Sequence, residues 1–81
     1  MEYKECVIEH DDKPMRLPAT PKNSRVTVML AAGCGSVQVG DGRRFGFDMN
    51  EGIPMELHGD ISNLWIQGNA GDHLAVIIHD W

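Results

Sequence analysis

Cysteine and aromatic residues are scarce in this chain: two cysteines, one tyrosine, two phenylalanines and two tryptophans among 81 residues. Cys6 and Cys34 are too few for the disulfide framework of a small secreted domain, so both are expected as free thiols in a protein made in a cytoplasm. Lysine and arginine are missing from the last 37 residues. All seven Lys and Arg lie at or before Arg44, and Asp48, Glu51, Glu56, Asp60, Asp72 and Asp80 follow. A net charge of −5 leaves no basic footprint for nucleic acid, and none is expected as a partner. No apolar run approaches the ~18 residues of a membrane span, and the opening MEYKECVIEH is acidic, without the apolar core of a signal peptide. Neither a membrane partner nor a leader is expected. Sustained 3.6-residue periodicity is absent too, which argues against helices.

Short β-branched and aromatic runs separated by Gly, Asn and Asp are what remains. Arg25–Ala31 alternates Val26, Val28 and Leu30 against Thr27 and Met29. Ser36–Val39, Arg44–Asp48 and Ile53–His58 follow, with Asp41-Gly42 as a hairpin signal and Pro54 marking an edge or a strand start. Asn63–Gln67 and His73–His79 flank Gly68–Asp72 and read as a closing hairpin; a single helical or 3₁₀ turn is expected at Asp60–Asn63. Tyr3–His10 alternates more loosely. Pro14, Pro18 and Pro21 make Pro14–Asn23 an extended arm on a surface.

The expected fold is all-β: a single small antiparallel β-sandwich or jelly-roll-like barrel of six to seven short strands. One domain spans residues 1–81, with 1–24 as a partly extended strand and Pro-containing arm. The expected core is Val26, Val28, Leu30, Val37, Val39, Phe45, Phe47, Ile53, Met55, Leu57, Leu64, Ile66, Leu74, Val76 and Ile78. Leu74–Ile78 is apolar on both faces, so this strand is either central or covered by a partner. On the second ground Ala75, Ile77 and Trp81 are expected at a contact with another chain. The uneven charge reads first as an ordinary solvated surface, and otherwise as a basic segment, with Lys13, Arg16 and Lys22, that touches an acidic neighbour at an oligomer or coat interface.

Catalytic and metal chemistry find little to work with. His10-Asp11-Asp12, His58-Gly59-Asp60, Asp72-His73 and His79-Asp80 lack the spacing of known metal motifs, so no metal or other cofactor is expected. Cys34 between glycines has no readable base, and neither Gly-rich turn precedes a helix that would hold phosphate. Trp65 and Trp81 are expected as core or interface anchors, with sugar stacking as the alternative.

The blocks Arg25–Leu30, Gly35–Gly42, Gly52–Leu57 and Asp60–Ile78 resemble the small β-sandwich virion proteins of tailed bacteriophages, which decorate heads, form head fibres or sit at tails. The resemblance covers about Arg25 to Ile78. It implies no enzyme and no catalytic residues. It implies a capsid decoration (cement) protein on the head surface, synthesised in the host cytoplasm. The partners implied are the major capsid protein and copies of the chain itself, preferably as a trimer. A glycan-binding or tail/head-fibre adhesion module is the alternative, and a small enzyme the third class.

Overall fold

The computed structural model describes residues 1–33 and 35–80, without the side chains of Ala32 and Asp80. Cys34 and Trp81, and the expectations attached to them, lie outside the described residues. Eight strands follow in order: β1 (Glu2–Val7), β2 (Met15–Arg16), β3 (Arg25–Ala32), β4 (Ser36–Gly40), β5 (Phe45–Asn50), β6 (Met55–His58), β7 (Trp65–Gln67) and β8 (His73–Asp80). They form an antiparallel β-sandwich of two four-stranded sheets, ordered β1-β8-β3-β6 and β2-β7-β4-β5.

Period-2 alternation builds the core. Val26, Val28 and Leu30 of β3 and Leu74, Val76 and Ile78 of β8 face Val37 and Val39 of β4 and Ile66 of β7; all are buried. In β1 the even positions turn inward, burying Cys6, with Ile8 just beyond the strand. β8 is apolar on both faces because it is central, lying between β1 and β3.

Several expectations are corrected. β7 and β8 do not pair as a hairpin; the connection Gly68–Asp72 carries the chain from one sheet to the other. Its backbone is tied to the end of β1 by Ile8 N–H to Asp72 O (3.0 Å) and Gly71 N–H to Ile8 O (2.8 Å). The buried Asp72 carboxylate accepts from Asn69 N–H (3.0 Å) inside the turn. A sequence-adjacent hairpin does occur at β4–β5. A register shift falls between Val39 and Gly40, where any Cβ would collide with the Arg44 carbonyl. Asp60–Asn63 is a hydrogen-bonded turn, with Leu64 N–H donating to Ile61 O at 3.0 Å.

Phe47 and Ile53 are not core: they are 51% and 59% exposed, and Phe45 is half-buried. β5 ends its sheet and β6 ends the other, so side chains at these margins are covered on one side only, and Ile53 lies in the turn before β6, its N–H donating to Asn50 O. Met55, Leu57 and Leu64 are only partly buried against the core. Met49, one step further along the same face as Phe47, is buried.

The proline-containing segment is woven in rather than laid on. β2 pairs with β7, Leu17 is 2% exposed, and Leu17 N–H donates to Leu64 O at 3.0 Å. Thr20 and Ile61 close that end; the Thr20 hydroxyl donates to Gly59 O (2.6 Å) and accepts from Ile61 N–H (3.0 Å). Leu17→Ala is therefore expected to cost about 2–5 kcal/mol, as Leu30→Ala should, read as a shift of the urea midpoint at constant slope. A loss below about 0.5 kcal/mol, the usual result at a surface position, would show that the segment is peripheral.

Candidate interaction surface

The two outer faces of the sandwich differ. On the β1-β8-β3-β6 sheet, cross-strand rows place Tyr3 beside Ile77, Thr27 and Glu56, and Glu5 beside Ala75 and Met29. Tyr3 is 60% exposed, while Met29 and Ile77 are half-buried. This apolar centre is bordered by two polar pairs. Glu5 Oε1 lies 2.8 Å from His73 Nδ1, and Thr27 Oγ1 lies 2.7 Å from His79 Nε2. A depression of about 280 Å³ opens beside Tyr3, Glu5, Ala31 and His73.

The other sheet turns a polar row outward. Arg16, Trp65 and Gly40 stand side by side, with Gln67 next to Gln38 in the neighbouring row. The Arg16 guanidinium carbon sits 5.7 Å from the centroid of the Trp65 ring, within cation–π range, and its Nε donates to Ser62 O at 2.9 Å. Gly42 lies close against the same indole, where a Cβ would come within 3.1 Å of ring carbons. Trp65 is thus half-buried and packed by its own chain.

Of the residues expected at an interface, Ile77 lies on the apolar outer face. Ala75 shares that face but is 6% exposed, screened by its sheet neighbours, because a methyl group on a central strand lies below the longer side chains around it. Lys13 and Arg16 are exposed beside β2, whereas Lys22 is exposed further along, where the chain turns into β3. Tyr3 and Met29 were missed as surface candidates. The signal was present in the alternation of β1, since a strand that buries Cys6 must turn Tyr3 outward.

Chemically reactive arrangements are sparse. Among the described residues no group of three His, Cys, Asp or Glu side chains converges to hold a metal. Cys6 is a free buried thiol, its pKa pushed up by burial and by nearby Glu9, so it is protonated and unreactive at neutral pH. Asp60 is held below the usual carboxylate range by hydrogen bonds from the Ser62 backbone and hydroxyl, then from Thr20 N–H, with Arg16 nearby. Asp41 is lowered by the N–H groups of Arg44 and Arg43, at 2.8 and 2.9 Å. Both carboxylates organise turns. Comparison of the chain with protein-family models, curated proteins and solved structures found no match.

Asp60 makes stability pH-dependent in a defined direction. Its lowered folded pKa means that its contribution is present above the unfolded value of about 3.9 and is lost as pH falls below that through the folded value. Asp60→Asn keeps an acceptor for Thr20 and Ser62 but removes the charge. Urea midpoints should therefore be lower for the variant at pH 7, and the gap should close below about pH 4. A gap that is unchanged at pH 2.5 would refute this role.

Proposed function

We propose that the protein is a non-enzymatic virion structural protein, a capsid decoration (cement) protein that binds the outside of a tailed-phage head and bridges coat subunits. The observation that carries this reading is the contrast between the two outer faces. An exposed Tyr3 and a partly exposed Met29 and Ile77 form an apolar centre rimmed by the Glu5–His73 and Thr27–His79 pairs. An apolar centre with a polar rim is the anatomy of a protein-binding patch. The resemblance of Arg25–Ile78 to phage β-sandwich proteins supplies the kind of partner.

In this role the chemistry is adhesion. Pressure from packaged DNA loads the seams between coat subunits, and a rigid sandwich spanning a seam adds buried area across it. A specific contact of this kind buries about 1,200–2,000 Å². Repetition over a shell adds avidity without strong single contacts, and a trimer would supply three contacts at once. A glycan-binding reading would rest on Trp65, but Arg16 and Gly42 already pack against that indole.

The test is co-sedimentation with shells of the cognate major capsid protein. The parent should pellet with shells, and Tyr3→Ser with Ile77→Ser should weaken binding at least tenfold while leaving the melting temperature nearly unchanged. A parent that stays in the supernatant at saturating shell concentrations would remove the cement reading. Tryptophan fluorescence that responded to a sugar titration would favour the adhesion module instead.

A further inference from the structure

The depression beside Tyr3 holds one carboxylate and no Lys or Arg. It measures about 280 Å³ and is lined by Tyr3, Glu5, Ala31, His73 and Leu74. Glu5 Oε1 accepts from His73 Nδ1 at 2.8 Å, since an ionised carboxylate can only accept. Oε2 receives no hydrogen bond from the described residues, and half of the Glu5 side chain is open to solvent. Tyr3, 60% exposed, supplies an aromatic wall, and Ala31 a small apolar one.

The chain's own cations are directed elsewhere. Lys4 stands between Tyr3 and Glu5 in sequence, but alternation turns it to the other side of β1. There its Nζ lies 3.8 Å from Glu2 Oε2 and donates to Ala19 O at 3.5 Å. Arg25 is at the opposite end of β3 from Ala31 and is already engaged. A second carboxylate, Glu56, closes the Tyr3–Ile77–Thr27 row at the β6 edge. The apolar centre of this outer face is therefore bordered by Glu5 on the β1 side and by Glu56 on the β6 side.

We infer that the partner segment docking on this face inserts a basic side chain, an arginine by preference, into the depression and lays apolar residues on Met29 and Ile77. A guanidinium can stack on the Tyr3 ring while its fork reaches Glu5 Oε2, and a lysine can make only the second of these contacts as well. An acidic segment or a phosphate backbone would meet Glu5 and Glu56 with like charge, and a second copy of the face would bring the same two carboxylates. The inference rests on the coat reading for where the partner comes from, and on the depression for its chemistry.

Two measurements test it. The first is an NMR titration with an acetylated, amidated Leu-Arg-Leu peptide and with its Leu-Glu-Leu counterpart. The arginine peptide should shift the amide signals of Tyr3, Glu5, Ala31 and His73, and the glutamate peptide should not. Glu5→Lys, at an exposed edge position, should reverse that preference, and the isosteric Glu5→Gln should weaken it without reversal. The second is co-sedimentation with shells, where Glu5→Lys should lower affinity about tenfold or more and Glu5→Gln should flatten its salt dependence. Equal shifts from both peptides, no shift from either, or a Glu5→Lys variant that pellets like the parent would each overturn the inference. So would dimers of the parent that Tyr3→Ser abolishes, which would give the face to a second copy. A parent that stays in the supernatant removes the coat reading alone, and the peptide comparison then decides the inference by itself.

Discussion

The pairing of β3 with β8 is the constraint from which the other elements take their positions. These two strands run antiparallel from Arg25↔Asp80 to Ala32↔His73 and bury Val26, Val28, Leu30, Leu74, Val76 and Ile78 on one face. β1 lies on the free side of β8, and β6 on the free side of β3. The second sheet closes over the buried face with Val37, Val39 and Ile66. In so small a domain nearly all the apolar burial belongs to this one interior, and little is left to cover the margins. The margins are where the unusual features fall: an open flank at β5 and β6, and a proline-bracketed edge at β2.

Local pattern showed the strands but not their neighbours. Alternation located β3, β4 and β8 closely, because two residues per repeat is a property of each segment by itself. The Asp41-Gly42 hairpin was legible for the same reason: turn chemistry and pairing are both local there. At Gly68–Asp72 the same kind of signal misled. Turn residues report that the chain reverses, and they do not report whether the next strand joins the same sheet or the one opposite. Asp72 is buried at the crossing, and a buried carboxylate cannot be told from a turn aspartate by its letter. Phe45 and Phe47 carried a core pattern because the inward side of an edge strand has the same alternation as that of a central one, and Ile53 because the expected strand Ile53–His58 begins only at Met55. Leu17 and Ile61 had no periodic context at all, and only tertiary contact shows that they belong to the interior.

The candidate surface was legible in part. Ile77 was found from the double apolar character of β8, but the same rule also selected Ala75, which its neighbours screen. Tyr3 and Met29 belong to strands that flank β8 only after folding, so no window of sequence contains the patch. Trp65 drew a sugar-binding alternative because an indole in a β protein is chemically versatile. Its partners, Arg16 and Gly42, arrive from distant parts of the chain and tie the ring into the sheet.

The placement of β1 beside β8 also governs how the chain must be made. β1 is at the beginning of the sequence and β8 near its end, yet β8 is the only strand between β1 and β3. During synthesis, therefore, β1 and β3 have no common neighbour until β8 has left the ribosome. Before that, β3 can pair with β6 and β4 with β5, but Val26, Val28 and Leu30 lack their β8 neighbours Leu74, Val76 and Ile78. Completion of the first sheet is thus a late event. The cell sees an interval in which apolar segments are accessible to chaperones and to other nascent copies.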